Sequence, residues 1–389
     1  MSATPASSQQ PMSVPTRAND TEGDMLFRIV NRVAIVTLNR PAALNALSHS
    51  MVRELALLLE RVRNDERIVA LLLNGAGPKG FCAGGDVRGL YHLARHGQRD
   101  GDSGWLQFFI DEYRLDYALH MFPKPVVALL DGVTMGGGMG LGQAAGLRVA
   151  TTRTKIAMPE TRIGMLPDVG ATHFLSAMPV EAELYIGLTG MTLSGPDAVA
   201  CGLADFCVPG EWLDGFEARL EGMPVQGETA AALRTIFAPA DVEETPKGTL
   251  SFMPLIRRHF DRRASVEQIV AALRVDLELD LPQREREWLQ ATLDALVRHS
   301  PTMLMVTREA LLRGRQMTLA ECFRMELGIV CRAIEEGDFC EGVRAHLVDK
   351  DRKPRWAPAT LVEVRPNRVQ HFLSSPWRSH VHPLAGLLD

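Results

Sequence analysis

The amino-acid sequence predicts an α/β fold, because short apolar segments are followed by glycine-rich turns and then by helical patterns. Two of these segments, IVALLLNG and PVVALLDG, are almost wholly apolar, as expected for strands buried on both faces of a sheet. GFCAGGD follows the first segment, and TMGGGMG follows the second. In folds of this class, functional groups are expected where strands end and helices begin. Beyond about residue 215 the pattern changes and predicts mostly helices.

The N-terminal part is predicted to contain a tail, a hairpin and a helix. Residues 1–24 are rich in Ser, Thr, Pro and Gln and lack the apolar centre of a secretory signal, which indicates a disordered tail. LFRIV and VAIVTL flank residues 31–32, the pattern of a β-hairpin. Residues 48–63 carry an apolar stripe at helical spacing, and either Ser48 or Ser50 is a suitable N-cap.

The rest of the predicted core continues to about residue 215. A second helix is expected at about residues 105–121, and the glycine cluster at 136–140 is expected to open a further helix. LRVATT then provides another strand. Residues 25–215 are therefore predicted to form the α/β core.

The C-terminal part is predicted to be helical, followed by a tail. VEQIVAALRVDLE, QREREWLQATLDALVRHS and the stretch from residue 318 to 336 have helical patterns within a region that extends over 216–356. Residues 239–247 are expected to form a loop. Residues 357–389 contain several prolines and tryptophans and are predicted to wrap the surface as a C-terminal tail.

The composition argues against several classes of protein. The chain has 389 residues and a formal net charge of -5, so its charge does not suggest a nucleic-acid binder. No segment approaches the ~18 apolar residues that a membrane span needs. The six cysteines include no CxxC pair and no metal-ligand spacing with histidines. They indicate reduced thiols and, with no secretory signal, favour a cytoplasmic location.

The two glycine clusters allow two interpretations. Glycines permit tight turns and close backbone packing, and they also let backbone N–H groups point at an anion. Neither cluster matches the phosphate-binding pattern GxxxxGK[ST], and GxGxxG is absent from the first strand–helix turn. The functional hypothesis that remains is an oxyanion hole, in which two N–H donors converge on a developing oxyanion. The structural hypothesis, tight turns or close backbone packing, stays open beside it.

Two acids in an apolar segment are the strongest candidates for chemistry. MPETRIGMLPDVG contains Glu160 and Asp168 among apolar residues, glycine and proline. Two carboxyl groups held close together raise the pKa of one of them, which suits proton transfer near neutral pH. No metal-ligand cluster accompanies them, so the predicted site contains no metal.

Several motifs in the same order resemble the crotonase (enoyl-CoA hydratase/isomerase) superfamily. FCAGGDV, PVVALLDGVTMGGGMGLG and MPETRIGMLPDVGATHFL carry the resemblance, and NRPAALNAL upstream also fits. Within the superfamily the chain resembles the 3-hydroxyisobutyryl-CoA hydrolases. These share a motif similar to DEY at 111–113, one similar to SPTML at 300–304, and one similar to EGVRAHLVDKDRKPRW at 341–356. The similarity extends over residues 25–356.

The resemblance implies a crotonase-like ββα spiral core that carries the active site, followed by a C-terminal helical region. It implies that Gly85 and Gly137 donate their N–H groups to the thioester carbonyl as an oxyanion hole. Glu160 matches the catalytic glutamate of the hydrolases, and Asp168 matches its partner aspartate. The implied reaction is hydrolysis of 3-hydroxyisobutyryl-CoA, a step of valine breakdown, with coenzyme A as part of the substrate and no separate cofactor.

The resemblance also implies residues that bind the substrate. Glu112 matches a glutamate that lines the substrate pocket. Ala83 lies beside the first glycine pair, and the loop with Asn45, Ala46 and Leu47 is implied to border the coenzyme A cleft. Trimer-based homo-oligomers are frequent in this superfamily, so self-association is a further expectation.

Two departures from family patterns are informative. Enoyl-CoA hydratases have a catalytic glutamate three residues after the second glycine of GGG, and this chain has Gly140 there. The hydrolases usually have TAIGLF where this chain has TRIGML, so Arg162 and Met165 differ and leave the exact acyl group open.

Three functions stay open from the sequence. The first is a 3-hydroxyacyl-CoA thioesterase, in which Glu160 either attacks the carbonyl or activates a water molecule. The second is an enoyl-CoA hydratase or isomerase on the same fold, which Gly140 argues against for hydration. The third is a non-catalytic module that binds RNA or a protein partner, and the net charge argues against RNA.

Overall fold

The computed structural model describes residues 22–100, 104–224, 226–238 and 248–389, and it leaves the side chains of residues 96–100 undescribed. Residues 1–21 of the predicted disordered tail and the whole predicted loop at 239–247 therefore lie outside the described residues. Residues 22–24 are described, and the Asp24 carbonyl accepts a hydrogen bond of 2.7 Å from the Asn39 N–H.

The strands and helices alternate up to about residue 208, and helices dominate beyond it. The strands are β1 Met25–Val30, β2 Val33–Leu38, β3 Ala70–Gly75, β4 Gly80–Cys82, β5 Val126–Leu130, β6 Val133–Met135, β7 Leu147–Thr151, β8 Lys155–Ala157, β9 Leu193–Ser194 and β10 Phe206–Val208. The helices of the first half are α1 His49–Asn64, α2 Val87–Asp100, α3 Gly104–His120, α4 Gly137–Gln143, α5 Ala171–Phe174, α6 Val180–Thr189 and α7 Gly195–Ala200. Those of the second half are α8 Phe216–Glu221, α9 Thr229–Phe237, α10 Met253–His259, α11 Val266–Leu277, α12 Gln283–Arg298, α13 Pro301–Gly314, α14 Leu319–Glu335, α15 Phe339–Val343 and α16 Pro366–Leu373.

The strands form two sheets that the chain visits in turn. The larger sheet has the order β1-β2-β3-β5-β7-β10, and the smaller has the order β4-β6-β8-β9. Strands β3, β5 and β7 of the larger sheet are each followed by a strand of the smaller one. Neighbours in both sheets are parallel except for β1 with β2 and β8 with β9. This repeated ββα path is the spiral that the family resemblance implies.

Local sequence explains the first elements. Asn31 and Arg32 adopt φ of 42° and 69°, the left-handed pair that a two-residue hairpin turn requires, so β1 and β2 pair as predicted. Ser48, rather than Ser50, caps α1 by accepting a hydrogen bond from the Met51 N–H. The sequence did not predict α2.

Two hydrophobic clusters lie on opposite faces of the larger sheet. In β2, Ala34 and Val36 belong to one cluster, whereas Val33 and Ile35 belong to the other. The second cluster is completed by apolar side chains of α8 and α9. Burial on both faces explains why β2, β3 and β5 have no alternation of polar and apolar residues.

The C-terminal helices pack onto the core rather than forming a separate body. Helix α13 contacts α5 and α6, α14 contacts α3, and α15 contacts α2 and the short 3-10 helix Glu160–Ile163. Within residues 357–389, α16 packs on α13 and α14 and buries Val369 and Phe372. The predicted C-terminal tail therefore contains a helix that belongs to the core.

Candidate active site

A cavity of about 300 Å³ lies where the two glycine-rich turns meet the segment that begins at Glu160. Gly85 comes from the turn after β4, and Gly137 begins α4 after β6, so neighbouring parallel strands of the smaller sheet deliver both glycines to one place. The C-terminal region contributes Phe339, His346 and Leu347 to the cavity wall. The predicted site residues Ala83, Gly85, Glu112, Gly137, Glu160 and Asp168 all line this cavity.

The backbone at Gly85 is positioned by the loop that precedes α1. Leu47 forms an isolated parallel bridge with Gly85, in which the Leu47 N–H donates to the Gly84 carbonyl and the Asp86 N–H donates to the Leu47 carbonyl, each at 2.8 Å. This pattern uses the Gly84 carbonyl and the Asp86 N–H, on either side of the Gly85 N–H, and leaves the Gly85 N–H outside the ladder. Gly84 has φ of 99°, a conformation that L side chains rarely adopt.

The second glycine turn is crowded from two directions. Gly137 is the first residue of α4, so its N–H has no acceptor within the helix. A Cβ added to Gly137 would collide with Oε1 of Glu112, and one added to Gly138 would collide with the Cys82 carbonyl. Glycine is therefore required here for space, while the helix start supplies outward-pointing N–H donors.

Glu160 contributes a buried carboxyl group to the cavity wall. It is 5% exposed and begins the 3-10 helix Glu160–Ile163. Its Oε1 lies near Gly136, because a Cβ built on Gly136 would be 3.1 Å away, and its Oε2 has no hydrogen-bond partner among the described residues. Burial, with the nearby Asp168 carboxyl, raises the pKa of Glu160 well above its usual value.

The carboxyl group of Asp168 is held by a hydrogen bond from the core. The Tyr113 hydroxyl donates to Asp168 Oδ2 at 2.6 Å. Burial raises the pKa of Asp168 from 3.8 to about 7, although the hydrogen bond from Tyr113 lowers it. The turn that follows is fixed from α14, because Glu326 accepts hydrogen bonds from the N–H groups of Gly170 and Thr172 at 2.7 and 2.9 Å and from the Thr172 hydroxyl at 2.6 Å.

Glu112 and Asp116 form a second acidic pair on α3, one helical turn apart. Glu112 Oε1 and both carboxylate oxygens of Asp116 are buried without a hydrogen-bond partner among the described residues. Burial raises the pKa of each well above its usual value, and Asp168 adds to the rise for Glu112. Asp116 lies against Gly140, where a Cβ would be 2.6 Å from its Oδ2.

The loop with Asn45, Ala46 and Leu47 does not line the cavity. Asn45 is fully buried, and its side-chain amide donates to the carbonyls of Ala76 and Gly80 at 3.0 and 2.8 Å. The Asn45 side-chain amide therefore stabilises the loop. The structure assigns Leu47 a positioning role through its bridge to Gly85, and the predicted contact of the loop with coenzyme A stays a prediction.

Three residues around the site were missed from the sequence. Asp116 follows Glu112 by four positions in DEYRLD, a helical spacing that could have placed both on one face. Tyr113 lies between them, but no sequence pattern indicates that its hydroxyl donates to Asp168. Glu326 is distant in the chain from the turn that it holds, so nothing local signals its role.

The fold and this site define the chain as a member of the Enoyl-CoA hydratase/isomerase family, whose sequence model matches residues 33–373. The chain is 36% identical to 3-hydroxyisobutyryl-CoA hydrolase 1 of Arabidopsis thaliana, over 90% of this chain and 92% of that one. It is also 36% identical to the mitochondrial 3-hydroxyisobutyryl-CoA hydrolase of Gallus gallus, over 89% and 87% respectively. A crystal structure described as an enoyl-CoA hydratase from Rhodobacter sphaeroides has a TM-score of 0.79 and 36% identity, and covers 91% of this chain and 98% of its own.

The remaining expectations concern the thiols, metals and compartment. All six cysteines lie in described parts of the chain and are free thiols. Within residues 22–100, 104–224, 226–238 and 248–389, no helix is long and apolar enough to cross a bilayer, and no group of three or more metal-ligand side chains is arranged around a common point. The name of the chicken relative gives a mitochondrial location for that protein, so it does not support the cytoplasmic expectation, which stays a prediction.

The stability of the protein is expected to depend on pH through Asp168. The pKa of its carboxyl rises from 3.8 to about 7 on folding. Between these values the folded protein retains a proton that the unfolded chain has released, so the free energy of unfolding falls as pH rises through this window. Asp168→Asn removes the titrating carboxyl group but keeps an oxygen that accepts a hydrogen bond from Tyr113. The free energy of unfolding should therefore fall less steeply with pH in this variant. Urea midpoints at about pH 5 and about pH 8 measure this.

The exposed Asp280 provides the matched control for this experiment. Asp280→Asn should leave the pH dependence of the urea midpoint as in the wild type. If the urea midpoint falls by the same amount between the two pH values in Asp168→Asn as in Asp280→Asn, the buried Asp168 carboxyl does not govern stability in this range.

Proposed function

We propose that this protein hydrolyses a short-chain 3-hydroxyacyl-CoA thioester, with 3-hydroxyisobutyryl-CoA as the substrate, as in valine catabolism. The observation that carries the proposal is the unpartnered Oε2 of Glu160 in a cavity wall that also contains Gly85 and Gly137. The names of the Arabidopsis and chicken relatives support this substrate, and their similarity extends over most of both chains.

The chemistry begins with polarisation of the thioester carbonyl. Its oxygen would accept hydrogen bonds from the N–H groups of Gly85 and Gly137, which stabilise the negative charge that develops on it. Loss of one such donor typically costs about 10²–10³ in rate. In the overall reaction one water is consumed, its oxygen forms the new C–O bond, the C–S bond breaks and the sulfur leaves with a proton as free coenzyme A.

Glu160 supplies the oxygen nucleophile in one of two ways. Its carboxylate either attacks the carbonyl carbon and forms a mixed anhydride that water then cleaves, or removes a proton from the attacking water. Asp168, whose pKa is about 7, can hold a proton near neutral pH and pass it to the departing sulfur, or it can bind the 3-hydroxyl group. Coenzyme A enters as part of the substrate, and the proposal needs no separate cofactor.

Enoyl-CoA hydration is the second candidate, because a solved structure with 36% identity is described as a hydratase. The space around Gly140 argues against it. A Cβ at Gly140 would be 2.6 Å from Asp116 Oδ2 and 2.8 Å from the Val169 Cβ. A glutamate at this position, as the hydratases have, therefore requires the Asp116 side chain and Val169 to shift. The second carboxyl group of the proposed site is Asp168 instead.

The two candidates are distinguished by incubating the purified protein with each substrate. We expect release of free thiol from 3-hydroxyisobutyryl-CoA and no loss of the enoyl absorbance of crotonyl-CoA. Hydration of crotonyl-CoA without thiol release from 3-hydroxyisobutyryl-CoA would refute the hydrolase proposal and support the hydratase. Self-association as trimers stays a prediction that sedimentation of the same sample measures.

A further inference from the structure

A second cavity, of about 770 Å³, adjoins the catalytic one. Pro159, Arg162 and His346 line both cavities, so these side chains form the boundary between them. The second cavity is otherwise lined by α12, the turn after α6 and the loop that contains Arg352. A part of the substrate that extends past this boundary from the Glu160 side therefore enters the second cavity, which has a different set of lining residues.

The second cavity is positively charged. Arg162 and Arg352 both line it with exposed side chains, and neither side chain forms an ion pair or hydrogen bond in the described part of the chain. Arg298 also lines it but is neutralised by Asp294 at 3.1 Å.

The positive charge of Arg162 contributes to lowering the pKa of two histidines near the boundary, His346 and His299. Burial, and then the positive charge of Arg162, lowers the pKa of His346, and Arg352 contributes as well. The pKa of His299 is lowered to about 4, mainly by burial, with Arg162 again contributing. Asp351 opposes the effect at His346 but is itself bound to Arg344 at 2.7 Å. Within the described residues, neither the Arg162 nor the Arg352 guanidinium group is therefore paired with a carboxylate.

The backbone that carries Arg162 is fixed beside Glu160. Both residues belong to the 3-10 helix Glu160–Ile163, and the Arg162 N–H donates to the Pro159 carbonyl at 3.0 Å. Between them, the Thr161 hydroxyl contacts the Leu188 carbonyl at 3.1 Å and His299 Nδ1 at 3.0 Å. The Arg162 backbone is therefore held in place, two residues along the chain from Glu160.

We infer that Arg162, together with Arg352, binds a carboxylate at the far end of the acyl chain, so that the substrates include 3-hydroxyacyl-CoA monothioesters of dicarboxylic acids. A guanidinium group binds a carboxylate through two parallel hydrogen bonds. The inference rests on the proposed thioesterase function and names a substrate class for the same site. The hydrolytic step is unchanged: water adds its oxygen to the acyl carbon, and coenzyme A leaves as the thiol.

The phosphates of coenzyme A are the other anions that such a cavity could bind. The whole pantetheine arm separates these phosphates from the thioester sulfur. Arg162, in contrast, lines the cavity in which Glu160 and both glycine turns surround the reacting carbonyl. Because Arg162 and Glu160 line the same cavity, we expect the anion that Arg162 binds to lie on the acyl side, within a few bonds of the carbonyl carbon.

The test compares two ligands that differ only at the acyl terminus. They are the non-hydrolysable thioether analogues of 3-hydroxyglutaryl-CoA, which ends in a carboxylate, and of 3-hydroxyvaleryl-CoA, which has the same chain length and ends in a methyl group. Calorimetric titration of wild-type protein should give at least about tenfold tighter binding of the carboxylate analogue, the effect typical of one charged hydrogen-bonded pair. Arg162→Gln should reduce this preference to about twofold, and Arg352→Gln should reduce it in part.

Arg263→Gln is the matched control, since Arg263 is exposed and lines neither cavity, and it should retain the wild-type preference. Equal binding of both analogues by wild-type protein overturns the inference. Equal weakening of both by Arg162→Gln also overturns it, because the arginine then binds the phosphates of coenzyme A. Binding of the analogues does not require turnover. If the protein prefers the carboxylate analogue but releases thiol from no thioester, the carboxylate site is supported and the proposed hydrolysis is refuted.

Discussion

Glu160→Gln is expected to lower the rate of thiol release from 3-hydroxyisobutyryl-CoA by about 10³–10⁴-fold. The amide has nearly the same shape as the carboxyl group, but it can neither attack the carbonyl nor accept a proton from water. The effect should appear in kcat more than in KM, because the lost interaction belongs to the transition state. Steady-state rates of thiol release, measured over a range of substrate concentrations, test this.

The fold of the variant should be unaffected, which separates lost chemistry from lost structure. Glu160 is buried with a pKa far above its usual value, so a neutral amide is no more costly to bury there than the ionised acid. Glu66→Gln, at an exposed turn, is the matched control and should keep the wild-type rate. A Glu160→Gln protein with more than about a tenth of wild-type kcat would exclude Glu160 as nucleophile or general base.

Glu326→Ala should lower the free energy of unfolding by about 3 kcal/mol or more, and activity should fall with it. The substitution leaves the N–H groups of Gly170 and Thr172 and the Thr172 hydroxyl buried without their acceptor. These donors belong to the turn that follows Asp168, so the position of that carboxyl should change as well. Urea denaturation and thiol release, measured on the same preparation, test both effects.

Glu335→Ala provides the comparison on the same helix, α14, at an exposed position. It should change the urea midpoint little, because exposed substitutions usually alter stability by less than about 0.5 kcal/mol. If Glu326→Ala and Glu335→Ala unfold at the same urea concentration, the three hydrogen bonds to Glu326 do not stabilise the turn.

The features that the sequence predicted well are those determined by neighbouring residues. The hairpin depends on two turn residues with positive φ, and the start of α1 depends on the hydroxyl of Ser48. The glycine turns depend on space and backbone direction, which glycine alone provides at Gly84 and Gly138. Such constraints act over a few positions and are therefore visible in the sequence.

The features that were missed depend on contacts between distant parts of the chain. Helix α2 contains two glycines and many charged residues, and it contacts α15, which lies far along the chain. Asp116 is a buried acid in an otherwise ordinary helix, and its proximity to Gly140 depends on how α3 packs against α4. Glu326 likewise reaches its partners only through the packing of α14. Periodicity identifies buried faces, but it does not identify the opposing element.

The attachment of the Glu160 segment to the C-terminal helices has a consequence for synthesis on the ribosome. The Thr161 carbonyl accepts a hydrogen bond of 3.2 Å from the Ser300 N–H, and Gly342 packs against Ile163 so closely that a Cβ there would collide with the Ile163 carbonyl. The two glycine turns emerge long before these partners are translated. A nascent chain can therefore form the sheets early, but it acquires a complete reaction centre only when residues near 342 have left the exit tunnel.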